Sequence, residues 1–388
     1  MPATVAFFPW LECRERIQLG QVRLFPYRPR SEPGDQPSMT QADMDGVLRA
    51  YSRKPSSRDR HAAILEIGKW RMGMDAGPRT VTKLFRTREL IAFSALAERR
   101  LFTHLEYTNF HVYTLVVQRF EPGNTGTFAF TTRRRDGGTN QLWGADEFAF
   151  HIPHHVRPDA VMRLDERLLK ALLRLPKGQS HIVEAIREFN AANTDGSEIP
   201  EHVELVMMKS AFEWLLSINE RADSFQRAIA AILQDVPPQK QHRGPLYRKW
   251  RKRWNAVRPI EAWARDFCVV RTASAHGGIK RGARGASVMS ASAHLAFGSL
   301  LFPLLVKKLL AETGRLKMDE LDAQRLRNID AYLMHDPFAA RHRREEHPWS
   351  NAERDALIAA RAARFYPQMA KMLERLRRGR ERSESKRT

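Results

Sequence analysis

The chain has 388 residues, 43% of them hydrophobic, enough to fill the cores of two ordinary domains and too much for a globally disordered polypeptide. Its 65 Lys and Arg against 44 Asp and Glu leave a formal charge of +21. That excess favours a polyanionic partner through counterion release, though an Arg-rich protein from a GC-rich genome carries the same excess without binding anything. Two cysteines, Cys13 and Cys268, exclude a disulfide framework and a thiolate zinc site, so a reducing cytoplasm is the expected compartment.

No basic, apolar leader of signal-peptide type opens the sequence. The longest apolar stretch, around His294–Val306, contains His294 and Pro303 and is expected to be too short and too interrupted to span a bilayer. A soluble protein with no membrane partner follows. Residues 1–160 read as a mixed α+β domain. Runs rich in Val, Phe, Tyr and Thr predict strands at Val5–Trp10, Ile17–Pro26, Phe110–Arg119 and Thr125–Thr132. Turn signals stand at Pro122–Asn124 and Gly137-Gly138. A polar stretch fills Arg28–Gln41, a helical pattern covers Arg86–Leu101, and Arg133–Gly138 reads as a charged hairpin tip.

From about Asp165 the apolar spacing becomes helical. Helices are predicted at Glu166–Leu175 and His181–Asn193, followed by a turn at Thr194-Asp195-Gly196. Glu201–Ile218 is apolar on nearly all sides, as the central helix of a bundle is. Ala222–Leu233 stops at Pro237-Pro238, Pro259–His276 ends on Gly277-Gly278, and Ser287–Thr313 ends at Gly314. Met318–Leu333 and Asn351–Arg378 are amphipathic to charged helices, and the tail Arg377–Thr388 is expected to be disordered. The resulting division is 1–160 α+β, 165–345 an all-α bundle, and 346–388 a C-terminal helix with a charged tail.

The helix at 259–276 closes on Phe267-Cys-Val-Val-Arg271-Thr272-Ala-Ser-Ala-His276-Gly277. An arginine, a polar residue and a histidine at this spacing resemble the site of the HEPN superfamily. The closer likeness is to its ApeA-like group, in which an aromatic residue, an arginine, a polar residue and a His-Gly pair end a helix. Three flanking segments are also similar to that group: Phe189–Ala192, Ala211–Leu216 and Arg325–Phe338. The likeness covers about residues 185–340. Thr272 departs from the Asn, Asp, His or Ser often found there, but keeps one hydroxyl that donates and accepts. The resemblance implies a HEPN-like helical bundle acting as a metal-independent endoribonuclease on single-stranded RNA, as a homodimer, without cofactor or metal. It further implies a toxin or phage-defence effector, with the N-terminal domain sensing a trigger or holding the nuclease inactive. A non-catalytic RNA-binding or dimerisation module, and a HEPN toxin subunit silenced by a separate partner, are the alternatives.

The chemistry suits these residue types. RNA carries its own nucleophile, the 2′-hydroxyl, so the protein has only to move a proton and stabilise a phosphorane. His276 has the intrinsic pKa for general acid–base work, and the last turn of a helix favours its imidazolium. Arg271 offers a permanently charged planar fork for phosphate oxygens. Five helical positions rotate about 500°, so the two side chains diverge by about 140° and converge best when two helices cross at a twofold axis. The spacing alone has little specificity, since Arg99–His104 repeats it, and a structural arginine and histidine capping a helix end is the plain alternative.

Glu213 sits in an otherwise apolar helix and there needs a cationic or hydrogen-bonding partner, for which Arg271 is the candidate, unless Glu213 lies on a solvated face. Residues 239–258 form an insertion with eight Lys or Arg and no acid, interleaved with Tyr247, Trp250 and Trp254. Arg248, Lys249, Trp250, Arg251, Lys252 and Trp254 are therefore candidate RNA contacts, by cations and stacking rings together. Alternatively the Trp rings pack on the bundle and the charges stay solvated. His151, His154 and His155 read as a loop cluster rather than a metal site, because no further ligand completes the set.

Overall fold

All six residues of β1 (Ala3–Phe8) are buried, which only a central strand covered on both faces allows. The computed structural model in which it lies describes residues 2–27, 39–51, 62–102, 107–125, 130–133, 136, 139–142, 150–153, 155–156, 163–219, 221–238, 244–254, 258–275, 287–338 and 347–384. The protein is α+β and forms two compact units, 1–100 with 104–200, and 101–103 with 201–388.

In the first unit β1 is flanked by β4 (Ala62–Ile67) and β5 (Val116–Phe120), while β3 (Val22–Tyr27) joins β4 to β2 (Ile17–Leu19). The order is β2-β3-β4-β1-β5, every pair antiparallel. The predicted strand Ile17–Pro26 is a hairpin turning at Gly20, whose φ of 59° suits glycine. The predicted strand at Phe110–Arg119 begins instead as a 3-10 turn at Phe110–Tyr113, capped by Asn109. Strand β4 escapes the sequence reading because AAILEI contains Ala and Glu, residues that strands avoid. Its buried Glu66 is satisfied by Arg23 at 2.9 Å and by the Met72 N–H at 3.0 Å. A second sheet pairs β6 (Phe130–Arg133) with β7 (Thr139–Leu142), as the hairpin expectation requires.

Helix α1 (Gln41–Arg49) is also unanticipated, although Thr40 and Asp43 close a reciprocal capping box at its start. Helix α2 (Pro78–Leu96) starts eight residues before the predicted pattern, on Pro78 in the first turn. It carries α3 (Glu166–Leu172) and α4 (Ser180–Ala191). Phe189 meets Phe93 edge-on at 5.4 Å, and the Asn190 amide donates to the Glu89 carbonyl and carboxylate. The bundle therefore begins at Glu201 rather than at Asp165: α3 and α4 use their apolar faces on α2.

The second unit is all helical among its described residues. Helices α5 (Glu201–Leu216), α6 (Ala222–Ile232), α8 (Pro259–Ala275) and α9 (Ala291–Glu312) enclose an aromatic core. In it Trp263 stacks on Phe267 at 5.1 Å, and Phe212 meets Phe225, Phe267 and Phe302. Helix α7 (Pro245–Trp254) folds what the sequence shows only as a basic insertion. Gly244 permits its approach, since a Cβ there would lie 2.1 Å from the Met334 carbonyl oxygen. Two corrections follow for the remaining helices. Helix α9 runs unbroken through Pro303 and is long and apolar enough to cross a membrane, but most of it is buried as a core helix. Helix α12 (Pro348–Glu384) extends through most of the tail expected to be disordered. Helices α10 (Glu320–Arg327) and α11 (Ile329–Tyr332) join it to the core. Lys307 pairs with Asp322 at 2.6 Å, and Arg325 Nε donates to Glu353 at 3.0 Å.

Candidate functional site

Helix α8 is fixed at its start and in its middle. At its start the Asp330 carboxylate accepts from the Ile260 N–H at 3.2 Å and faces Arg258 at 3.3 Å, in a capping role. Ile260, Trp263, Ala264, Phe267 and Cys268 form its buried stripe at i, i+3, i+4 spacing. Arg271 continues that stripe into the final turn, where it is half-buried, while Thr272 is exposed. Adjacent helical positions diverge by about 100°, so Thr272 and Arg271 leave the helix on different sides. His276 lies outside the described residues, one position beyond the end of α8.

The partner proposed for Glu213 needs correction. Glu213 bonds Lys209, one turn earlier on α5, at 2.6 Å. The Lys209 side chain is 1% exposed and its ammonium also lies 4.8 Å from the Phe225 ring centre. Burying that ammonium demands an anion, and the carboxylate four residues on is the nearest supply. Arg271 is nevertheless close: burial pushes the Cys268 thiol up to about 11, with Lys209 and Arg271 opposing the rise and Glu213 and Asp223 adding to it. Arg271, Lys209 and Glu213 thus belong to one electrostatic neighbourhood around Cys268.

A second buried constellation lies in the middle of α8. Asp266 is fully buried and its carboxylate accepts from Trp250 Nε1 at 3.1 Å, Ser287 Oγ at 3.1 Å, and the N–H groups of Val288 and Met289 at 3.0 Å. His294 Nε2 of α9, also fully buried, stands 3.3 Å away. Burial opposes ionisation of Asp266, but His294, the Val288 N–H and the Trp250 indole outweigh it and hold the carboxyl below its ordinary value. The chain that leaves α8 after Ala275 is therefore bound again at Ser287–Met289 to the middle of the same helix. Only an acid inside an apolar helix and a histidine inside another hint at this pairing in the sequence.

Trp250 is consequently not a stacking platform for RNA. Its ring is fully buried and its N–H is committed to Asp266, so that expectation is corrected. Trp254 is half-buried, with the Arg253 guanidinium 4.7 Å from its ring centre. Arg248, Lys249, Arg251 and Lys252 are exposed, so α7 presents cations outward and rings inward.

In the first unit the histidines form a different contact from the loop cluster expected. His155 meets His111, Nε2 to Nδ1, at 2.6 Å, while His151 is exposed and His154 lies outside the described residues. No group of three or more metal-ligating side chains occurs among the described residues. The repeated spacing at Arg99–His104 has a structural arginine: Arg99 is buried and donates to Asn193 Oδ1 at 2.5 Å. His104 lies outside the described residues. No known protein family, characterised protein or solved structure matches the chain.

Proposed function

We propose that the second unit is a metal-independent endoribonuclease of HEPN type, cutting single-stranded RNA by attack of the 2′-hydroxyl. One observation carries the reading. Arg271 and Thr272 occupy the last turn of α8 in an all-helical unit, one half-buried and the other exposed, and the sequence runs directly on to His276. A guanidinium whose stem is packed and whose helix is tied at Asp330 and Asp266 is preorganised to neutralise a phosphate, which is where most of the rate gain of such a site arises. His276 takes the 2′-hydroxyl proton or delivers one to the departing 5′-oxygen, leaving a 2′,3′-cyclic phosphate and a 5′-hydroxyl. Thr272 donates its hydroxyl to the phosphate. A second copy of the chain supplies the other Arg271–His276 pair, and the exposed cations of α7 hold the RNA backbone. The activity is that of a toxin or defence effector, with the first unit as its regulatory part.

The test is cleavage of single-stranded RNA by the purified full chain in excess EDTA. His276→Ala and Arg271→Ala are expected to abolish cutting while RNA binding persists for His276→Ala. Undiminished cutting by either variant removes these residues from the mechanism. RNA binding without cutting by the unaltered chain leaves a binding module, and loss of cutting on chelation alone identifies a metal enzyme instead.

A further inference from the structure

Helix α12 changes character along its length. Its first turns pack into the second unit through Trp349, Ala352, Ala356 and Ala360, all buried. Large apolar side chains then face solvent: Ile358 is 57% exposed, Phe365 57%, Tyr366 68%, Met369 41% and Met372 62%. Scattered apolar residues on a surface need no account, but five on one helix constitute a patch. At 100° per residue they fall within an arc of about 120°, one face of the helix. The same stretch, 361–378, carries Arg361, Arg364, Lys371, Arg375, Arg377 and Arg378 against the single acid Glu374.

We propose that α12 from Ile358 onward lies on an anionic lipid surface, with the apolar arc entering the interface and the cations meeting phosphate headgroups. A basic helix with a wide apolar face, aromatic residues on it and no spanning length has the physical signature of interfacial binding. A second copy of the chain fits less well. Paired helices prefer a narrow seam repeated over three or more heptads with opposite charges beside it, and this stretch is shorter, broader and rich in cations with Glu374 as its single acid. RNA would use the cations and two rings but would leave Ile358, Met369 and Met372 uncovered. The expectation of no membrane partner rests on the lack of an exposed spanning run, and a helix lying in the interface requires none.

Co-sedimentation of the full chain with phosphatidylcholine vesicles, with and without phosphatidylglycerol, tests this. Binding is expected only to the anionic vesicles and is expected to weaken with salt. The double change Phe365→Asp with Met372→Asp should reduce it on the order of tenfold or more, and Arg361→Glu with Arg364→Glu should do the same. All four residues are exposed, so thermal unfolding should stay at the wild-type temperature and show that each variant folds. Failure of the unaltered chain to bind anionic vesicles overturns the proposal, as does equal binding by the apolar variant. If that variant instead dissociates a dimer, or loses RNA binding while keeping lipid binding, the face belongs to a second copy or to RNA. None of these outcomes depends on whether the chain cuts RNA.

Discussion

Replacement of Asp266 by alanine removes one carboxylate and strands several donors at once. The Trp250 indole, the Val288 and Met289 amides and the Ser287 hydroxyl all aim at its oxygens from 3.0 to 3.1 Å, in a site where Asp266 and His294 are fully buried. Each donor left without an acceptor costs about 1–3 kcal/mol, and loss of one member of a buried pair typically costs about 3–5 kcal/mol. These figures overlap, because relaxation lets some donors find water, so a loss of about 4 kcal/mol is the expected effect on the second unit. That is a large part of the roughly 5–15 kcal/mol by which a domain is stable. Asp266→Asn keeps one acceptor oxygen and turns an amide donor toward the remaining N–H groups, so it should fall between alanine and wild type. Urea unfolding followed by tryptophan fluorescence and by circular dichroism measures both. The carboxyl is held below its ordinary value when folded, so its contribution is complete above about pH 4 and declines as pH falls further. Asp266→Ala should therefore differ most from wild type at neutral pH and least in acid. A loss under about 0.5 kcal/mol at neutral pH, the size of an ordinary surface change, would refute the view that this carboxylate holds α7, α8 and the start of α9 together.

Three further outcomes follow from the described geometry. Burial raises the thiols of both Cys13 and Cys268, the latter to about 11, so neither should react with Ellman's reagent at pH 8 until the protein is unfolded; rapid reaction of the native chain would contradict their burial. Burial lowers the pKa of His111, as do His155 and Arg88, against Glu198 and Asp195. The unfolded chain then takes up the proton first, so the first unit should lose stability as pH drops below about 6.5, and His111→Gln should flatten that decline; an unchanged pH profile of its melting refutes the assignment. Changing Arg248, Lys249, Arg251 and Lys252 to alanine should reduce the slope of log affinity against log salt for single-stranded RNA by roughly 0.7 per lost contact, and an unaltered slope removes α7 from the binding surface.

The helices of the second unit are legible in the sequence because their signals are local. Glu201–Leu216, Ala222–Ile232 and Pro259–Ala275 lie within two residues of the predicted spans, marked by apolar spacing and by Pro or Gly at their ends. Less of the first unit is legible. Strand β4 is buried on both faces, so it lacks the alternation of a half-buried strand, and its Ala and Glu residues carry no strand signal, while α1 is short, polar and marked only by its cap. The candidate site divides in the same way: the placement of Arg271 and Thr272 at the end of α8 follows from the sequence, whereas the cation beside Glu213 does not.

Composition, charge and periodicity alone thus determine an α+β chain, a helical second half, and the position of an arginine and a hydroxyl on one terminal turn. Tertiary structure decides which polar groups satisfy one another: Lys209 rather than Arg271 on Glu213, Trp250 on Asp266 rather than on a base, and His294 beside a carboxylate 28 positions earlier. It also assigns Glu166–Ala191 to the first unit and leaves Ile358, Phe365, Tyr366, Met369 and Met372 of α12 exposed. The reason is physical. Helical spacing is fixed by neighbours within four residues, while the partner of a buried polar group is whichever donor or acceptor packing brings within about 3 Å, at any distance along the chain.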